Sequence, residues 1–242
     1  NRQGGRFIAS HIRIPEGGPV PDYVHYHKIR FQMIFCYRGW VRVVYEEQGA
    51  PFVMHSGDCV LQPPHIRHRV LESSAGLEVI EISCPAEHET WADPDLDLPT
   101  KEVRSDRDFG GQHFVLHQVV NAEWKPWRIE GFEFRDTGID SATKGLAGVR
   151  VVRPLNGSKP LMCSHSGEFY FFFTLKGGLT LICEGLGSQR MEAGDSCVIP
   201  AQQRHALTDC SPDLELLEAT FPADLETQVH SISLEALMNT HD

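Results

Sequence analysis

The chain has 242 residues, room for one large or two modest domains, and its 41% hydrophobic and 23% charged residues are those of an ordinary globular protein. A formal net charge of −11 argues against a nucleic-acid or anionic-membrane partner, and no apolar run is long enough to span a bilayer. Seven cysteines, an odd number with no Cys-x-x-Cys pair, read as reduced thiols of a cytoplasmic protein.

In chain order, residues 6–14 read as a first strand, and the Pro- and Gly-rich stretch 15–21 as a loop. Strands are expected at 23–28 and 31–37, a turn at Arg38-Gly39, then strands at 40–45, 51–55, 58–62, 67–71 and 77–84. Many short strands between Gly and Pro turns predict an all-β antiparallel barrel or jelly roll. Residues 85 to about 112 differ: Glu87 to Asp108 hold eight acidic and three basic residues, which reads as a linker draped over a surface. The run Glu168 to Leu175 is apolar on both faces and is expected to be buried on both. Residues 233–238 read as a short helix with a Ser233 cap.

Within this pattern His25 and His27 stand two apart on one strand, so their imidazoles share a face. Gln32 on the next strand can face them, and His68 arrives after the Gly57-Asp58 turn and Pro63. Three neutral nitrogens and a carbonyl oxygen can hold a divalent first-row metal and leave positions open. His65, in the loop before His68, is the candidate proton shuttle, and Arg30, which shares the parity of Gln32, the candidate carboxylate anchor. Arg67 and Arg69 flank His68 on the opposite face and read as structural. His113 and His117 are weak ligand candidates.

The pattern occurs twice. Leu77 to Pro85 matches Leu214 to Pro222 at an offset of 137 residues, as do Gly57-Asp58 with Gly194-Asp195, Pro63 with Pro200 and His68 with His205. Gly39 with Gly177 and His27 with His165 match at 138, so one single-residue indel relates the copies. His25 becomes Cys163 and Gln32 becomes Tyr170, leaving a second set of Cys163, His165, Tyr170 and His205, with Glu168 nearby, that either binds zinc or has decayed into packing. The second copy has a strand-like lead-in, residues 127–136, whose counterpart would precede Asn1; an earlier segment is expected.

The ordered set His-x-His, four residues, Gln, six residues, Gly, followed by Gly, five residues, Pro, four residues, His, resembles the cupin family. Its motifs are His-x-His, three or four residues, Glu, six residues, Gly; and Gly, five residues, Pro-x-Gly, two residues, His. The resemblance makes His25, His27 and His68 the metal ligands and puts Gln32 where the family has glutamate. Here His65 replaces a motif glycine and Glu72 a motif asparagine. It implies two tandem cupin jelly-roll barrels: residues 1–85 with the metal site, a linker at 86–112, and residues 113–242 with a degenerate site and a C-terminal tail. The implied cofactor is Fe, Ni, Zn or Mn.

What the resemblance implies for activity falls into three classes. The first is a dioxygenase-like metal-dependent enzyme acting on a small anionic oxygenated molecule, the reading favoured by the two-barrel layout. The others are an isomerase or tautomerase of a sugar or uronate, and a non-catalytic binding protein. Gln32 cannot take a proton, so any base must come from elsewhere. Apolar strand faces that need covering suggest a homodimer.

Overall fold

The computed structural model describes residues 5–155 and 160–230; the helix expected at 233–238 lies outside them. The chain divides into two compact units, one running through Ala122 with Ala142–Lys144, the other comprising Glu123–Ser141 and the chain from Gly145 onward.

The first unit contains β1 (Ile8–Ile14), β2 (Gly18–Pro19), β3 (His25–Lys28), β4 (Phe31–Arg38), β5 (Trp40–Tyr45), β6 (Phe52–His55), β7 (Cys59–Leu61), β8 (His68–Ser73), β9 (Leu77–Cys84), β10 (Glu89–Ala92) and β11 (Val115–His117). They form an antiparallel sheet of order β1-β9-β4-β7-β11 and a second of order β10-β3-β8-β5-β6, with β2 beside β8. Cys36, Val60 and Val79 of the first sheet share one buried cluster with Val41, Val43, Tyr45 and Met54 of the second. The alternation of these residues along their strands identifies the interior face.

The second unit repeats the plan with β12 (Trp124–Pro126), β13 (Phe132–Asp136), β14 (Gly148–Pro154), β15 (Met162–His165), β16 (Phe169–Lys176), β17 (Gly178–Cys183), β18 (Gly187–Glu192), β19 (Ser196–Val198), β20 (His205–Thr208), β21 (Glu215–Phe221) and β22 (Thr227–His230). Its sheets run β12-β13-β14-β21-β16-β19 and β18-β17-β20-β15-β22. The copies agree residue by residue: His25 pairs with His68 as Cys163 pairs with His205, and His27 faces Thr90 as His165 faces Thr227. The two Gly-Asp turns close identically, Asp58 accepting from the His55 amide and Asp195 from the Glu192 amide, both at 2.8 Å. At the paired turn Gly39/Gly177, φ is +77° and +67°, and a Cβ would lie 2.3 Å or 2.2 Å from the hydroxyl of Ser74 or Ser211. Only glycine fits there. Phe169 to Thr174 is buried throughout, as its two-sided apolar pattern required.

The stretch read as a linker differs. Residues 89–92 form β10, which pairs with β3, the strand of His25 and His27, and Phe109 is in the core. Arg107 binds Glu46, and Arg104 binds Glu47, whose carboxyl is held low chiefly by that arginine. Residues 113–122, assigned by sequence to the second barrel, group with the first unit, where β11 pairs with β7.

Candidate metal centre

Three of the four expected ligands converge. The ligand atoms of His25, His27 and His68 lie within 4.8 Å of one another. Strand parity brings the first two together, with ring centroids 5.2 Å apart, and the His25–His68 cross-strand pair adds the third at 4.3 Å from His25.

Each imidazole is held by its outer nitrogen. His25 Nδ1 lies 2.8 Å from the Tyr23 carbonyl, His27 Nδ1 2.8 Å from the Thr90 hydroxyl, and His68 Nδ1 3.1 Å from the Ile66 carbonyl. A carbonyl only accepts, so Nδ1 carries the proton in His25 and His68, and Nε2 keeps its lone pair. Ligating histidines are oriented in this way. Burial, then the neighbouring His25 and His88, pushes His27 down to about 4; burial and His25 push His68 down to about 3. Both are therefore neutral, metal-competent bases at neutral pH.

Gln32 lies on the interior face of β4, in line with Ile34 and Cys36, and is 4% exposed. Its amide nitrogen donates to Glu81 at 2.7 Å, and Ser83 Oγ donates to the same carboxylate oxygen at 2.9 Å. Glu81 accepts only, which fixes the amide and leaves Gln32 Oε1 buried without a hydrogen-bond partner. An orphaned carbonyl oxygen and three imidazole lone pairs are a donor set that fits a divalent transition metal. On the same face, Gln62 places its amide nitrogen 2.9 Å from His68 Nε2.

His65, the expected proton shuttle, lies outside the histidine cluster. His65 is exposed, with its ring 5.8 Å from that of Tyr26, which points away from His25 and His27 by strand alternation. Its φ of +66° explains the placement: this is the left-handed position of the loop, shared by Gln202 in the second copy. Arg30 is exposed at the β3–β4 turn. Arg67 lies on the outer face as expected, stacked on Tyr26 and bonded to Asp93. His113 turns its Nδ1 to the Arg107 carbonyl, and neither it nor His117 joins the histidine cluster.

Sequence reasoning missed Gln62, Glu81, Thr90 and His88. The His88 ring lies 5.2 Å from that of His27, in the arm read as linker. The only signals were the interior parity of Gln62 and Glu81 and the repetition of Glu81 as Glu218.

The second set is built differently. The Gly167 amide donates to His165 Nδ1 at 3.2 Å, so His165 Nε2 carries the proton and donates to the Ile199 carbonyl at 3.0 Å. His165 therefore has no lone pair left for a metal. Burial pushes the Cys163 thiol up to about 11, and Glu168 is exposed. A cation is already present: Arg128 donates to the Tyr170 hydroxyl at 2.7 Å, binds the fully buried Glu218, and stacks on Trp127. Among the described residues, the His25–His27–His68 group is the one cluster able to hold a metal.

A family model described as Cupin domain matches residues 150–217, within the second unit. Among solved structures, salicylate 1,2-dioxygenase from Pseudaminobacter salicylatoxidans aligns with a TM-score of 0.72 at 15% identity, covering 94% of this chain and 76% of that one. Oxalate decarboxylase from Bacillus subtilis aligns at 0.65 and 13% identity, covering 93% and 70%. No curated protein sequence matches the chain.

Proposed function

We propose that this protein, a member of the cupin superfamily with two tandem barrels, is a metal-dependent enzyme whose first barrel acts on a small anionic oxygenated molecule in dioxygenase-like chemistry. The observation that carries the proposal is the set of three clustered imidazoles, each tied by Nδ1. In this reading His25, His27 and His68 hold the metal and Gln32 Oε1 completes the set. A bound divalent metal would supply a Lewis acid for an anionic oxygen and, as iron, redox chemistry with O₂. The four donors carry no formal charge, which favours an anionic substrate. Two structural neighbours carry names for carboxylates, salicylate and oxalate.

The chain's own groups do the rest. Glu81 and Ser83 hold the Gln32 amide. Tyr45, its ring 5.5 Å from that of His68, and Phe114 beside it give the site a dry apolar wall. Arg30 has no side-chain partner among the described residues and is the proposed carboxylate anchor. His88, not the outward-facing His65, is the imidazole beside the ligand set. All seven cysteines are thiols, which supports a reducing cytoplasmic setting. No described helix is long and apolar enough to cross a membrane. The exposed Ile8 and Ile12 on β1 support a homodimer.

One observation favours a second reading. Glu81 is an interior carboxylate next to Gln32, and a proton-transferring sugar or uronate isomerase needs such a base. The test is elemental analysis of protein purified without added metal, then anaerobic Fe(II) loading and oxygen-uptake screening on salicylate, gentisate and catechols. Oxygen uptake supports the dioxygenase. Turnover of keto-sugars or uronates with Ni, Zn or Mn and no oxygen uptake supports the isomerase, and ligand retention without turnover overturns both.

A further inference from the structure

Gln62 stands where a metal would have to displace it. His68 Nδ1 donates to the Ile66 carbonyl, so His68 Nε2 is an acceptor, and the Gln62 amide at 2.9 Å must be donating an N–H to it. One lone pair cannot serve both an N–H and a metal. Gln62 is 4% exposed, and its backbone amide is tied to the Gln32 carbonyl at 2.9 Å, so its side chain starts from a buried position on a fixed strand end. Among the described residues the Gln62 amide nitrogen has no acceptor but His68 Nε2, and in the proposed site His25, His27 and Gln32 also give their lone pairs to the metal. A buried donor that loses its acceptor destabilises the loaded state until another acceptor arrives.

We propose that Gln62 is a substrate-positioning donor that makes the loaded first barrel select ligands bearing an acceptor oxygen, such as a carboxylate or enolate, over neutral nitrogen ligands. The inference rests on the metal reading above and deepens it: the metal's charge attracts an anion, and the freed Gln62 N–H demands a hydrogen-bond acceptor beside it. Imidazole, whose ring nitrogen has no lone pair left once it binds a metal, would leave Gln62 unpaired; acetate would not.

The test uses the full chain loaded with Co(II), whose visible absorption reports both metal uptake and added ligands, with acetate and imidazole as probes. Gln62→Leu is expected to bind Co(II) about tenfold more tightly, because nothing competes for His68, and acetate about tenfold more weakly, with imidazole unchanged. General damage to the barrel would weaken all three together. Gln62→Met provides the same comparison should the leucine variant fold poorly. Acetate binding that is unchanged, or that falls in step with imidazole, overturns the role of Gln62 while leaving the metal site standing. Wild-type protein that takes up no Co(II) overturns the metal reading and this inference with it.

Discussion

Arg128→Met in the second barrel should be among the most damaging single substitutions in the chain. Glu218 has a fully buried side chain, and Arg128 is 20% exposed on its side chain. Burial acts to lower the guanidinium's pKa, but Glu218 and Tyr170 outweigh it and raise it, so Arg128 stays charged. Without Arg128, Glu218 keeps the Trp127 indole N–H at 3.2 Å as its one remaining side-chain donor among the described residues. Breaking a buried pair from one side costs roughly 3–5 kcal/mol, whereas replacing both partners with apolar groups is near neutral. The partial exposure of Arg128 places the expected loss near the lower end, about 3 kcal/mol, or roughly 10 °C in the melting of a unit of this size. The double variant Arg128→Met/Glu218→Leu should recover most of it. Urea unfolding followed by tryptophan fluorescence can resolve the cycle, because Trp127 stacks on Arg128. A double variant as unstable as Arg128→Met alone would refute the ion-pair account. Metal stoichiometry adds a second check: Arg128→Met should bind no additional metal, because both ring nitrogens of His165 are already engaged.

Thr90→Val should leave the outer nitrogen of His27 unpaired and lower metal affinity by about ten- to a hundredfold with little change in folding, read by competition with a chelator. Glu81→Gln can donate to Gln32 and let its amide flip; Co(II) affinity should fall about tenfold and the visible spectrum shift. The metal-free protein should lose stability as pH falls from about 6.5 towards 4. In that window the unfolded chain protonates His27 and His68, while the folded chain holds them down to about 4 and about 3. Each contributes up to about 1.4 kcal/mol per pH unit, and nothing above pH 6.5. His68→Gln should flatten the dependence of the urea midpoint on pH, and an unchanged slope would contradict the burial argument.

What the sequence made legible is what periodicity and duplication encode. Parity alone placed His25 and His27 on one face, and the Gly57-Asp58 turn and Pro63 announced the strand that brings in His68, which pairs with His25. Partners across long separations were not encoded in this way. Glu46 and Glu47 fall between two predicted strands, and Arg104 and Arg107 in the stretch read as a linker; each is half of an ion pair that only the fold assembles. His65 was misplaced because its side-chain direction follows from a positive φ that the loop imposes and composition does not reveal. Gln62 and Glu81 could be assigned to the interior but not to a partner, since alternation specifies a face and not which groups meet on it.

The two glutamates bear on the site itself. Glu81 and Glu218 occupy the same interior position of the two barrels, 137 residues apart. In the second barrel Arg128 neutralises the carboxylate and binds Tyr170, the counterpart of Gln32. In the first, Glu81 takes only an amide and a hydroxyl, and no arginine or lysine forms an ion pair with it among the described residues. Glu81 is half-buried, meets no protein cation among the described residues, and holds the amide of Gln32, the fourth donor of the proposed metal site. One barrel thus carries its positive charge on its own side chain, while the other has an interior that a divalent cation would complete.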